Sequence, residues 1–359
     1  MSTNYKFILL LLAGMLQVTL LFSQEEPANA ESEYYRIRSI AFSGDHETAR
    51  AEARKLVNKY PEYGDARVLL SRIMAWQKDY GTALSSIDSL LISEPDNTDA
   101  LSLRNDIMRW SKEGDPSSTE IIAGYSFDKF TEPYSRFWQV FRAGAGRRSG
   151  WGSASVYLNA GDVNIQTDAS DVSATEFQIE SEAYPKLSSK NYAYLSYAYS
   201  PGKYFPRHRA AAEIWQVLPA GWNISAGLNY YFFNRNIFIA MASVEKYAGK
   251  FWFSGKTFFY FKDQGLTLSV YLTARRYLNA DDFFQLTAGT GTAPDEPFDI
   301  ITDLGRLSAN SMRFTYNNKI SDRVTFRIGA GYSAEEFAES AWRNRFEGNI
   351  TFFYSINKK

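Results

Sequence analysis

The 359-residue sequence predicts an α + β multidomain chain: a short α-helical solenoid followed by an antiparallel transmembrane β-barrel of about 14 strands, or 12 if two weak runs are loops. Three observations predict it. A self-match at one fixed offset occupies the chain before Pro116. After Pro116 the hydrophobic period changes from 3.6 to 2 and stays there. Aromatic residues reach 16% and crowd after Tyr125, while a mean hydropathy of −0.34 argues against a bundle of membrane helices.

The N-terminus comes first. Lys6, the apolar stretch Phe7–Phe22 and the polar Ser23–Pro27 have the form of a secretory signal over residues 1–24, with cleavage near Ser23 or Gln24. A retained inner-membrane anchor is the alternative. If the mature chain sits in a membrane, strands must hold it there. The absence of cysteine excludes a disulfide framework, a thiol nucleophile, a cysteine zinc site and a lipoprotein anchor. A formal net charge of −1 gives no electrostatic case for nucleic acid. No phosphate loop or metal-ligand cluster is visible, so no cofactor or metal is expected.

Between residues 31 and 114, Asp45, Thr48, Ala49, Leu56, Pro61, Asp65 and Ala66 recur 34 positions later as Asp79, Thr82, Ala83, Leu90, Pro95, Asp99 and Ala100. This period resembles the tetratricopeptide repeat. Ala49 and Ala83 stand where paired helices cross closely, and Pro61 and Pro95 close the second helices because proline cannot continue the hydrogen-bond ladder. Helices are expected at 31–43, 46–59, 64–77, 80–93 and 98–112. Such a unit is either a spacer or a surface that docks a periplasmic protein partner. Trp76, Tyr80 and His46 fall near the turns, with His46 expected as a solvated loop residue.

Residues 119–357 form the predicted barrel. Trp222, Ile224, Ala226, Leu228, Tyr230 and Phe232 alternate with polar or small neighbours; Val324–Tyr332 and Trp342–Tyr354 repeat the pattern. Runs of about 9–13 residues suit a tilted bilayer crossing. Short connections (148–150, 219–221, 248–250, 321–322) are expected to alternate with long ones (161–171, 292–303). Trp151, Trp222, Trp252 and Trp342 are expected in interfacial girdles. Outer-membrane lipid is therefore the expected surroundings, with the helical unit in the periplasm. Fourteen strands are expected near 119–130, 134–148, 151–162, 172–186, 190–200, 206–218, 222–233, 236–248, 251–262, 266–278, 283–291, 305–319, 323–334 and 341–355.

Alternation also assigns the lumen. With Phe177, Ile179 and Ala183 toward lipid, Glu176, Gln178, Glu180 and Glu182 line the interior, joined by Arg142, Glu213, Lys256, Arg275, Arg313, Arg327, Arg345 and Glu347. Both charge signs occur. Either the charges pair and plug the barrel, or they line a polar conduit in which Glu176, Glu180 and Glu182, with Tyr184, contact a glycan polymer. Catalysis is not expected. The hydrolase alternative rests on His208 as general base with Ser200.

The repeat residues around Ala49, Pro61, Ala83 and Pro95, with the Ile121-Ala123-Gly124-Tyr125 and Gly329-Ala330-Gly331-Tyr332 patterns, resemble the YaiO family of outer-membrane β-barrel proteins. The same order of parts resembles the larger exopolysaccharide exporters. That resemblance implies a barrel assisting export or surface display of a polysaccharide; a closed barrel anchoring a periplasmic interaction domain is the runner-up.

Overall fold

A computed structural model of the chain describes residues 30–42, 44–113, 118–188, 190–262, 265–279, 281–292, 308–321 and 323–356. The expected signal segment, the Gly114–Ser117 boundary, most of the 292–303 connection, Asp322 and Asn357 lie outside the described residues. The chain divides into two compact units between Gly114 and Asp115.

The first unit contains α1 (Ala30–Phe42), α2 (His46–Lys59), α3 (Gly64–Trp76), α4 (Tyr80–Ser93) and α5 (Thr98–Glu113). The 34-residue offset is visible in its hydrogen bonds. Ala49 N–H donates to Asp45 O at 3.0 Å, and Ala83 N–H to Asp79 O at 3.1 Å. At the other helix ends, Tyr60 N–H donates to Leu56 O and Glu94 N–H to Leu90 O, both at 2.9 Å. Ala49 and Ala83 are fully buried in a core with Leu56, Ile73, Ile87, Leu90 and Leu103. Between α3 and α4, Ser71 donates to Ser86 at 2.8 Å, a contact only short side chains permit. Pro61 and Pro95 are exposed, each directly after its C-cap residue. The Thr82 hydroxyl and the Arg50 guanidinium, 2.5 Å away, hold the Asp79 carboxyl below its ordinary range. His46 departs from expectation: it opens α2, half-buried with its ring 5.4 Å from that of Trp76.

The second unit is a closed barrel in which every neighbouring pair is antiparallel and β1 joins β14. Its strands are β1 (Ser118–Phe130), β2 (Ser135–Ser149), β3 (Gly152–Gln166), β4 (Asp171–Pro185), β5 (Asn191–Tyr199), β6 (His208–Leu218), β7 (Trp222–Phe232), β8 (Asn236–Ala248), β9 (Phe251–Lys262), β10 (Gly265–Tyr277), β11 (Phe283–Gly291), β12 (Ser308–Lys319), β13 (Val324–Ala338) and β14 (Ala341–Ile356). Closure leaves no strand edge to be satisfied by water, the condition for a sheet in hydrocarbon. The chain enters at Ser118 and leaves at Ile356 on one end, called here the terminal end; the opposite end is the far end. Among the described residues no helix is long and apolar enough to cross a membrane.

The outer surface carries Ile121, Phe141, Leu158, Phe177, Ile179, Ile214, Leu228, Phe238, Leu268, Met312 and Phe346, all exposed. Such a continuous apolar exterior is stable only against lipid. Two expectations fail in detail. The 161–171 stretch is not a long loop: β3 runs to Gln166 and β4 starts at Asp171, leaving Thr167–Ser170. Its outward polar residues bond one another, Asn164 donating to Asp162 at 2.7 Å and Thr175 to Asp162 at 3.1 Å, so polarity there marks a strand end. Several far-end connections, including Thr131–Tyr134 and Phe233–Arg235, are likewise short. Trp252 is not a girdle residue. It shares the inward face of β9 with Ser254, Lys256 and Phe258, and its indole N–H approaches the inward Glu245 carboxylate at 3.4 Å.

Candidate functional site: the two halves of the lumen

Inward positions follow from strand parity, and the predicted carboxylates all occupy them. Their partners differ from those of a free conduit lining. Glu176 accepts the backbone N–H groups of Lys203, Tyr204 (2.9 Å) and Phe205 (3.2 Å). These bonds draw the β5–β6 connection, Ser200–Arg207, inward. Phe205, 1% exposed, packs in a cluster with Trp138, Val140 and Val163, its ring 5.0 Å from that of Trp138. A Cβ on Gly161 would lie 2.3 Å from Trp138 and 2.7 Å from Phe205, so only glycine leaves room for this wedge.

Glu180 is gripped from two sides, by Arg209 at 2.6 Å and Arg142 at 2.7 Å, and also accepts from Asn159 at 3.0 Å. Gln178 accepts from the same Asn159 at 3.1 Å. Glu182 accepts from the Tyr157 hydroxyl, whose ring lies under the Arg142 guanidinium. On β6, Glu213 takes Lys256 at 2.7 Å and Ser225 at 2.6 Å. Arg313 meets Glu347 at 2.6 Å.

Near the far end the charges are fully buried. Glu335, 0% exposed, bonds Arg343 at 2.7 Å and Arg345 at 3.4 Å. Asp128 bonds Arg136 at 2.6 Å and Arg345 at 3.1 Å. Phe130 lies between two of these cations, 3.9 Å from Arg343 and 4.5 Å from Arg136. The sequence singles out Arg345 but not Glu335, because the expected strand 323–334 ends one residue before it. A β-bulge at Glu336–Ala338 instead extends β13 there. A second inward cluster, Tyr231, Phe233, Ile237, Ile239, Met241, Phe258, Tyr260 and Tyr271, is buried in the far half along β7–β10.

The terminal half differs. Beside buried inward residues such as Ile122, Tyr157, Val217 and Phe283, it carries several inward aromatics that are only partly covered. Tyr192 and Trp215 stack at 5.1 Å with planes 6° apart. Tyr184, 44% exposed although it faces inward, pairs with Tyr194 at 4.9 Å. Arg275 lies over Trp252 (4.8 Å) and Phe283 (4.1 Å) and donates to Gln285. Arg327 is exposed, donates to Asn317 at 3.2 Å and lies over Phe353. Neither arginine forms an ion pair with a carboxylate of the described residues. Of these aromatics the sequence points to Tyr184 but not to Tyr192, Tyr194 or Trp215, because alternation marks facing, not which inward residues remain uncovered.

His208 faces outward among Tyr197, Tyr199 and Phe232, its Nδ1 2.8 Å from the Tyr197 hydroxyl. Ser200 lies on the inward parity, 0% exposed, and donates to Phe177 O at 2.8 Å. The structure does not bring the two together. Among the described residues no group of acidic or histidine side chains could hold a metal ion.

Solved structures with similar strand arrangements include the anion-selective porin from Comamonas acidovorans (10% identity, TM-score 0.39, 67% of this chain and 100% of that one). Others are the translocator domain of the autotransporter NalP from Neisseria meningitidis (11%, 0.39, 73% and 97%) and the outer membrane protein OprD from Pseudomonas aeruginosa (9%, 0.35, 67% and 94%). Likeness at this level carries no functional argument. No curated protein matches the chain. The closed 14-strand barrel with its apolar exterior agrees with the family model of the YaiO membrane β-barrel domain, which matches residues 118–296, and the chain belongs to that family.

Proposed function

We propose that the protein is an outer-membrane anchor with a closed lumen, holding its helical unit in the periplasm as a docking surface for a protein partner. The observation that carries this reading is the filled far half: the strapped Ser200–Arg207 connection, the Glu335–Arg343–Arg345–Asp128–Arg136 network and the apolar cluster around Ile239. A 14-strand barrel has room for a pore of modest bore; the buried apolar cluster and charge network of the far half support its being closed. The periplasmic placement is supported by the order of parts, since both chain ends of the barrel emerge on one side.

Planar-bilayer recording of the purified full chain tests the closure. The native protein is expected to insert without conductance steps. Glu176→Ala, which releases the three N–H groups of the inward connection, is expected to produce flickering openings. A steady conductance from the native protein sinks the proposal and restores a conduit.

A second reading, assistance to export or surface display of a polysaccharide, is favoured by the aromatic terminal half, whose partly covered rings suit sugar faces. Under it, a strain lacking the protein would lose surface glycan, and Glu176→Ala would alter the amount displayed. Under the anchor reading, surface glycan stays unchanged and loss of the helical unit alone reproduces the full deletion.

A further inference from the structure

The geometry points to an acidic-saccharide site in the terminal half of the lumen, formed by Arg275 and Arg327 against the aromatic wall of Trp252, Trp215, Tyr192 and Tyr184. It rests on the reading of the lumen as shut at its far end, so that the terminal half is a blind vestibule.

Three observations carry it. First, several inward aromatics remain partly exposed. Tyr192 and Trp215 stack on each other with planes 6° apart and stay half-buried, and Tyr184 keeps 44% of its surface open although it faces inward. Partly exposed rings inside a confined, wet space offer flat apolar platforms, and the C–H faces of a pyranose ring match them while its hydroxyls stay hydrated. A purely apolar ligand fits less well, because tyrosine hydroxyls and guanidinium groups are interleaved with the rings.

Second, the two arginines have no acidic partner among the described residues. Deeper in the lumen Arg142, Arg209, Arg343, Arg345, Arg136 and Arg313 close onto carboxylates, at Glu180, Glu335, Asp128 and Glu347. Arg275 is held by Gln285 and aromatic rings, and Arg327 by Asn317 and Phe353. Neutral amides orient a guanidinium and leave its charge uncompensated. An arginine fork is shaped for bidentate capture of a carboxylate or a phosphate-type group.

Third, the two charges share one half of the lumen: Arg275 on β10 and Arg327 on β13 both stand on inward positions toward the terminal end. Two like charges across a restricted lumen repel, and an anion placed between them relieves that repulsion. The nearby carboxylates do not fill this role: Glu182 accepts from Tyr157, and Glu245 accepts from Trp215, Trp252 and Asn223. Combining flat faces with an unpaired cationic pair selects a sugar that itself carries the negative charge.

The test uses the full chain folded in detergent micelles, with trigalacturonic acid as probe. Trp215 and Trp252 report occupancy through their fluorescence. Trigalacturonic acid is expected to change the emission in a saturable manner, and 0.5 M salt to weaken binding at least tenfold. Arg275→Gln with Arg327→Gln is expected to lower affinity at least tenfold without changing heat-modifiable migration. Arg327→Gln alone, at an exposed side chain, serves if the double variant fails to fold. Maltotriose, neutral and of equal length, is expected to bind at least tenfold more weakly. Absence of trigalacturonate binding, or equal affinity in wild type and variants, overturns the site. Inorganic phosphate binding as tightly as the trisaccharide overturns the saccharide assignment and leaves an anion site. Bilayer recording on the same preparations keeps the two readings apart: conductance refutes the closed lumen, whereas lost binding with no conductance refutes only this site.

Discussion

The far and terminal halves of the lumen are built by the same alternation on the same strands, yet the far half gathers its inward side chains into buried clusters, whereas the terminal half mixes buried residues such as Val217 and Phe283 with partly exposed rings and arginines. β9 shows the contrast within one strand. Phe258 and Tyr260 are buried in the far cluster, and Trp252, on the same face, is only partly covered. Parity decides which side chains enter a barrel; it does not decide whether they meet anything there. In the far half three contributions converge: the inward connection pinned by Glu176, a five-member charge network, and bulky residues from β7–β10. None of these reaches the terminal half.

Perturbations should therefore cost much at one end and little at the other. The largest effect is expected at Glu335. Glu335→Ala leaves Arg343 and part of Arg345 buried without their carboxylate, a loss of about 3–5 kcal/mol. Urea unfolding of the micellar barrel should report it, and an effect below about 1 kcal/mol would mean water reaches the network. Next comes a reference outside the barrel: Ala83→Arg overpacks the α3–α4 contact and should cost the helical unit about 2–3 kcal/mol, with the barrel melting unchanged. Circular dichroism at helix wavelengths separates the two transitions. Gly161→Ala is expected to cost about 1–3 kcal/mol, because its methyl collides with Trp138 and Phe205; the same variant should become leakier in bilayers. The smallest effect belongs to the terminal half. Arg275→Gln exchanges a partly exposed cation without an acidic partner and should alter stability by less than about 0.5 kcal/mol. A loss comparable to that at Glu335 would erase the distinction between the halves.

Much of this was legible beforehand. The 34-residue offset located all five helices to within a residue or two, because buried Ala49 and Ala83 and the caps at Asp45 and Asp79 are local requirements of a tight helix pair. Fourteen alternating runs became fourteen strands, with the larger errors at β3 and β13. In both, inter-strand partners satisfy polar residues that look like loop: Thr175 for Asp162, and Arg343 with Arg345 for Glu335. Trp252 was misplaced for a related reason, since an aromatic at a strand end belongs equally to a lipid girdle or to a lumen mouth.

What the sequence determined by itself was periodic: the 34-residue offset, an even strand number of 14 or 12, and the alternation that puts Glu176, Gln178, Glu180, Glu182, Arg327, Arg345 and Glu347 on one face of their strands. Periodicity is a property of neighbours along the chain, so one chain suffices to read it. Only the tertiary structure decided that Glu176 binds backbone N–H groups rather than solvent, that Glu180 is shared by Arg142 and Arg209, and that Arg275 and Arg327 have no carboxylate among the described residues. Those pairings join strands and loops whose register around a closed barrel is set by every strand at once. A charge acquires its partner, or its lack of one, across that closure.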